Sequence, residues 1–435
     1  MKNEFKGGRR IDDWRPEDEQ FWENGGKQVA SRNLWISIPA LLLAFSVWVI
    51  WSVIVVRMPE VGFQFDKAQL SWLVALPALS GATMRIFYSF MVPIFGGRRW
   101  TAISTASLLI PTIWLGFAIQ NPDTTFTTFA IIALLCGLGG ANFSSSMSNI
   151  SFFYPKSKQG TALGLNAGLG NLGVSVSQFV IPAVIGFSLF GALAGEGQMT
   201  ESGKVLYLQN AAFVWVIPIA IMTVLAWFGM NDLSGAKASF KEQSVIFGRQ
   251  HTWIMCILYL ATFGSFIGFS AAFPMVIKQS FPDVDPLKVA FLGPLVGALF
   301  RPVGGWLADK IGGARVTFWV YVVMAISVVA VMFFLKMGNF IGYFVGFMLL
   351  FMTSGIGNAS TFRMIPVIFR TMHERYNSPD LVNQARKESA AVVGFAGGFA
   401  AYGGFFIPKM FGSGLGINGT FIALIVFYVV CIALT

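Results

Sequence analysis

Three arginines, Arg85, Arg301 and Arg363, stand in otherwise apolar stretches of this chain, and no lysine, histidine or carboxylate stands with them. A charge at the centre of a bilayer costs at least about 2.5–3.5 kcal/mol, so it is rarely kept without a task. Cations that face a cavity and lack a counter-charge from the chain call for an anionic ligand. A guanidinium offers a planar fork of donors, stays charged at any accessible pH and suits a planar oxyanion. Pairing with carbonyls or snorkelling to an interface is the structural alternative. Arg85 and Arg301 lie about ten residues from the nearest loop, which disfavours snorkelling for them. Arg363 lies seven residues before Arg370, near a helix end, and snorkelling suits it better.

Other side chains could complete such a site. Asn166 and Asn171, within LGLNAGLGNLGVS, bring amide donors, and Phe45, Phe143, Tyr259 and Phe263 could sandwich a flat ligand. Phenylalanine is abundant, with 44 copies, so any one of them is more often packing; the Tyr259 hydroxyl in an apolar stretch is more telling. Glycines Gly164, Gly168, Gly170 and Gly173, and Gly394, Gly397, Gly398, Gly403 and Gly404, let helices approach and slide. Residues 168–173 spell G-x-G-x-x-G, but a dinucleotide loop needs a preceding strand and an exposed phosphate site, and this copy is embedded in an apolar helix. Cys136, Cys256 and Cys431 have no metal-like spacing and read as packing residues. Neither a metal nor a cofactor is expected. All twenty acidic residues fall in the N-terminal segment, loops or helix ends, and His251 and His373 fall in loops.

These residues need elements to hold them. The chain is 55% hydrophobic and 11% charged, against about 25% charge in a soluble domain, so it reads as an all-α polytopic membrane protein. Segments long enough to cross about 30 Å recur at 34–56, 69–94, 101–119, 126–152, 160–190, 210–230, 252–277, 287–308, 315–335, 339–369, 388–411 and 418–435. Residues 1–33, with seven basic and seven acidic side chains, read as a cytoplasmic segment rather than a cleavable signal. The polar stretch 231–251 divides the spans into six-helix halves, 34–230 and 252–435. The abrupt stop at Thr435 suggests a natural C-terminus further on.

With the N-terminus inside, the cytoplasmic membrane ends carry Lys27, Arg32, Arg98, Arg99, Lys156, Lys158, Lys237, Lys241, Arg249, Lys310, Arg315, Arg370, Arg375, Arg386 and Lys387. The other side carries Arg57, Lys67, Lys204, Lys278, Lys288, Lys336 and Lys409, and fifteen against seven satisfies the positive-inside rule. The net charge of +10 therefore needs no nucleic acid to explain it.

The halves repeat each other. At an offset of 216, Arg85 falls on Arg301, Gly96-Gly97 on Gly312-Gly313 and Arg99 on Arg315. At 218, the run 137–142 (GLGGAN) falls on 355–360 (GIGNAS), and Arg363 on Ser145. At 226, 179–182 (FVIP) falls on 405–408 (FFIP). Two parallel six-helix repeats resemble the major facilitator architecture. The loop GGWLADKIGGAR (304–315) is similar to that superfamily's signature between its eighth and ninth helices; in the first half Pro93 replaces the signature's aspartate, which weakens that half's latch.

The segments DWRPEDEQFW (13–22), YSFMVPIFGGRRWTAIST (88–105), ALGLNAGLGNLGVSVSQ (162–178), LYLATFGSFIGFSA (258–271) and GGFFIPKMFG (403–412) together resemble the nitrate/nitrite porter family, and within it the NarK-type antiporters of bacteria. The resemblance covers essentially the whole chain. It implies an anion held between the arginines at positions 85 and 301, with Phe143, Asn171, Tyr259, Phe263 and Phe45 matching the pocket. It also implies a monomer in the bacterial inner membrane that brings nitrate in and carries nitrite out.

The absence of an acidic group within the spans favours exchange of one monovalent anion for another, which is electroneutral. A nitrate–proton symporter remains open, because the substrate or a loop residue could carry the proton. An anion channel would give ohmic current rather than turnover with trans-acceleration. A membrane enzyme would need a nucleophile–base pair or metal cluster within the spans, and none is evident.

Overall fold

The computed structural model describes residues 9–236, 244–376 and 381–435. Lys237 and Lys241, read above as cytoplasmic charges, lie outside the described residues. Twelve helices among the described residues are long and apolar enough to cross a membrane. They are α1 Glu19–Arg57, α2 Lys67–Phe95, α3 Gly97–Ala118, α4 Phe126–Phe153, α5 Ser157–Val184 and α6 Asn210–Gly229. The second six are α7 Gln250–Ser280, α8 Pro286–Ile311, α9 Gly313–Lys336, α10 Phe340–Arg375, α11 Glu388–Phe411 and α12 Gly416–Leu434.

The first helix departs most from the sequence expectation. It begins at Glu19 rather than near residue 34, because Trp22, Val29 and Ala30 bury their side chains with Phe153, Leu233 and Ala236. Asp18 caps this start, its carboxylate accepting from the Phe21 N–H at 3.2 Å. The helix is not regular throughout. A wide turn over Trp22–Gly26 holds Gly25 at φ 144°, a conformation open to glycine. A second break falls at Val49 and Ile50, between the helical stretches Lys27–Trp48 and Trp51–Arg57.

Packing groups the chain into two compact units. One holds the chain up to Ile50, Glu60–Phe63, and Thr83 through the segment after α6; the other holds Trp51–Pro59, Gln64–Ala82 and α7–α12. In the first unit, α1 is clasped by α4 and α5. The Ser37 and Ser146 hydroxyls meet at 2.8 Å, Ser46 donates to the Gly173 carbonyl at 2.9 Å, and Ser177 donates to the Ser46 carbonyl at 3.0 Å. A methyl at Gly139 or Gly173 would strike the carbonyl of Ala44 or Leu42, so only glycine admits this approach. Short strands interrupt an otherwise helical chain. Strand β1 (Arg10–Ile11) lies parallel to β4 (Asp232–Leu233), with Arg10 opposite Asp232, and β2 (Gln198–Met199) pairs antiparallel with β3 (Val205–Leu206).

In the second unit α8 meets α10 where Gly355 faces Gly297 backbone to backbone. Helix α7 meets α11 in the same way, at Gly264 and Gly403. The stretches Trp51–Pro59 and Gln64–Ala82 are tied in by polar contacts. Arg57 and Asp285 form an ion pair at 2.9 Å, and the Ser71 hydroxyl donates to the Pro408 carbonyl at 2.7 Å.

Candidate functional site

Each unit builds a separate arginine setting. In the first, Arg85 lies within α2 with only 1% of its surface exposed. Its Nε donates to the Gly140 carbonyl at 2.9 Å. Its guanidinium carbon stands 4.8 Å from the Phe143 ring centre and 5.2 Å from the Trp48 ring. A methyl at Gly140 would enter the Trp48 indole, so the glycine both presents the carbonyl and clears space for the ring. Phe45 packs edge-on against Phe143 at 6.1 Å and against Trp48 at 5.3 Å, fixing both plates. Cation–π contacts to desolvated rings reach about 2 kcal/mol. They orient a guanidinium without cancelling its charge.

The two asparagines of α5 part company. Asn166 is fully buried, and its amide nitrogen donates to the Ser146 hydroxyl at 2.8 Å, continuing the chain that runs to Ser37. That bond joins α5 to α4 and α1. Asn171 is 1% exposed and its side-chain oxygen has no hydrogen-bond partner among the described residues. Leaving such a group dry costs about 1–3 kcal/mol.

In the second unit Arg301 lies within α8 and is partly buried. Its Nη2 approaches the Tyr259 hydroxyl at 3.4 Å, while Nη1 is buried and makes no hydrogen bond among the described residues. Tyr259 is itself sandwiched: the Phe362 ring stacks at 4.1 Å and the Phe263 ring at 5.4 Å, the latter tilted by only 7°. A π-helical turn over Leu260–Gly264 begins directly after Tyr259 and contains Phe263. Such wide turns insert an extra residue into a helix and are frequent at functional sites. Phe362 also faces the Arg301 guanidinium, at 5.8 Å.

The third arginine has a different setting. Arg363 is more than half exposed and forms an ion pair with Asp309, its Nε donating to Oδ1 at 2.6 Å. It belongs with the surface charge of that unit.

Sequence reasoning missed three features. Trp48 and Phe362 frame the two arginines, but 13 tryptophans and 44 phenylalanines offer no spacing signal to single them out. Glu388 is buried at the start of α11. It receives a bidentate fork from Arg249, Nε to Oε2 at 3.0 Å and Nη2 to Oε1 at 2.9 Å, and His373 Nε2 lies 3.3 Å from Oε1. Those bonds hold the Arg249 guanidinium still further above its usual range.

The glycines divide by what surrounds them. A methyl at Gly170, Gly173, Gly403 or Gly404 would meet Leu41, the Leu42 carbonyl, the Gly264 backbone or Ala78 respectively. At Gly164, Gly168 and Gly394 an added methyl would meet nothing within 4 Å among the described residues. Gly397 and Gly398 are buried in α11. Cys136, Cys256 and Cys431 are all buried, and none is in a disulfide among the described residues. Among the described residues no cluster of three or more His, Cys, Asp or Glu could hold a metal ion.

Residues 36–408 match the Major Facilitator Superfamily. The chain is 51% identical to the nitrate/nitrite transporter NarU of Escherichia coli (strain K12), covering 100% of this chain and 97% of that one. It is 42% identical to the probable nitrate/nitrite antiporter NarK2 of Thermus thermophilus, covering 93% and 89%. Among solved structures, the D-xylose-proton symporter superposes with a TM-score of 0.69 at 15% identity, covering 92% of this chain and 95% of that one. The xylose transporter XylE from E. coli, in a partially occluded inward-open conformation, does so with a TM-score of 0.65 at 14% identity, covering 93% and 98%. At such identities the structures speak for the fold alone.

Proposed function

The chain belongs to the Major Facilitator Superfamily, and from that premise we propose that it exchanges nitrate and nitrite across a bacterial inner membrane, nitrate inward and nitrite outward. The observation that carries the reading is the setting of Arg85, buried within α2 with its Nε on the Gly140 carbonyl and its guanidinium against the Phe143 and Trp48 rings. Those contacts fix the plane of a guanidinium, whose fork of donors suits a planar oxyanion. Arg301, with one buried nitrogen that makes no hydrogen bond among the described residues, offers a second donor of the same kind. The full-length identity to transporters named for nitrate and nitrite supports the choice of anion.

In this reading the anion is clamped between Arg85 and Arg301. Phe143, Phe45, Tyr259 and Phe263 shape a flat slot, and Asn171 offers a further polar group. A bound monovalent anion screens the two cations from each other, cutting the net charge between them from two to one, and permits occlusion and reorientation. The empty carrier resists closing, because like charges repel strongly in low dielectric. That asymmetry makes exchange obligatory, by differential stability of the occluded state. Vesicles loaded with nitrite should therefore take up nitrate rapidly with no pH gradient, and nitrate-free, nitrite-free vesicles should not. Uptake into such empty vesicles driven by external acid would overturn strict exchange.

One observation favours the symport alternative. The buried Glu388, with His373 beside it, is a titratable pair in the helical ends of the second unit. If it carries the coupled proton, Glu388→Gln abolishes acid-driven uptake while sparing nitrite–nitrate exchange. In the exchange reading the pair is structural, there is no acid-driven uptake to lose, and Glu388→Gln alters exchange only as far as it loosens the helix end.

A further inference from the structure

The two halves finish their second spans differently. The offset that places Arg85 on Arg301 places Pro93 on Asp309, and the offset of the tenth span places Ser145 on Arg363. The ion pair Asp309–Arg363 of the second half thus lacks both partners in the first. A carboxylate is nevertheless present at this end of the first half, and it comes from beyond α6. Asp232 Oδ1 accepts from the backbone N–H of Arg98 at 2.9 Å and of Arg99 at 3.3 Å, and Oδ2 accepts from Arg98 Nε at 3.1 Å. Both Asp232 and Arg98 are buried. Arg98 also donates to the Trp227 carbonyl at 2.9 Å, so α3, the end of α6 and the following segment share one charge pair.

The backbone is shaped for this arrangement. Gly96 turns the chain at φ 87°, and a methyl there would collide with the Asp232 carboxylate. The carboxylate also faces the positive end of the α3 dipole. The equivalent turn of the second half has Gly312 at φ 93°, where a methyl would meet nothing within 4 Å among the described residues. Strand β4, which contains Asp232, is in turn held by β1.

We propose that Asp232 is a positioning residue for transport, a carboxylate from the segment after α6 that takes over the latch lost from the first half at Pro93 and Ser145. It holds the α2–α3 turn against that segment while the carrier cycles, whichever anion is carried. The test uses the full chain in proteoliposomes with nitrate as probe, compared with the unsubstituted protein under identical loading. Asp232→Asn keeps the shape and removes the charge, leaving Arg98 buried without its partner. Its maximal exchange rate should fall at least about fivefold, within the usual range of conformational coupling, with KM for nitrate changed less than about twofold. Installing the second half's pair, Pro93→Asp with Ser145→Arg, in the same chain should recover most of the lost rate. If Asp232→Asn fails to insert, recovery of insertion by the installed pair is read instead. Unchanged exchange in Asp232→Asn would overturn the proposal, as would loss of rate that the installed pair leaves unrepaired.

Discussion

Replacing Arg85 with lysine keeps the charge and removes the geometry, which separates an oriented fork from a mere cation. The substitution deletes the Nε–H that reaches the Gly140 carbonyl at 2.9 Å, and it deletes the plane that lies 4.8 Å from Phe143 and 5.2 Å from Trp48. A hydrogen bond from a charged group contributes about 1.5–3 kcal/mol. Losing one of two parallel donors to a planar anion should therefore slow transport about 10- to 150-fold, at 1.36 kcal/mol per factor of ten. The ammonium can still lie over the rings, so insertion and melting temperature should change far less than activity. The assay is uptake of labelled nitrate into nitrite-loaded proteoliposomes, normalised to reconstituted protein, with Arg85→Gln as the uncharged control. Exchange by Arg85→Lys within about twofold of the unsubstituted rate would refute the fork argument, since a point charge would then suffice.

Further outcomes follow from other contacts. Tyr259→Phe removes a hydroxyl that meets Arg301 only at 3.4 Å, so exchange should fall by no more than about fivefold, as a long hydrogen bond is worth under about 1 kcal/mol. Gly403→Ala places a methyl in the Gly264 backbone and should cost about 1–3 kcal/mol, read as a lower melting temperature, whereas Gly394→Ala enters open space and should leave melting unchanged. Asp309→Asn breaks an exposed ion pair and should change stability by less than about 1 kcal/mol in thermal melts. The Ser234 hydrogen bond, followed by Arg10, holds the Asp12 carboxyl below its usual range. Its stabilising effect is therefore complete above the unfolded pKa and fades as pH falls through the lower folded value. Protease nicking ahead of residue 19 should rise only in acid well below about pH 4 and stay flat from about pH 6 to 8.

Hydropathy made the spans legible because lipid demands about twenty apolar residues per crossing, and the repeat offset made Arg85 and Arg301 stand out as a duplicated pair. What escaped were arrangements decided by distant parts of the chain. The start of α1 at Glu19 depends on Phe153 and Leu233, far away in sequence, so a polar composition there read as a simple lead-in. Its break at Val49–Ile50 has no proline or glycine to announce it. Asn166 and Asn171 look alike in sequence and differ only in whether Ser146 comes within reach. Likewise Glu388 reads in sequence as the first residue of a span, whereas the helix already runs from Leu381 and the residue's burial depends on Arg249, more than a hundred residues earlier.

The central claim is that a monovalent anion is the obligatory counter-charge in each crossing. Its most direct test is a count, in one vesicle preparation, of nitrite released, nitrate gained and protons moved. The account predicts one nitrite out for each nitrate in, with no change in internal pH. Nitrate gain accompanied by internal acidification and no nitrite release would contradict it.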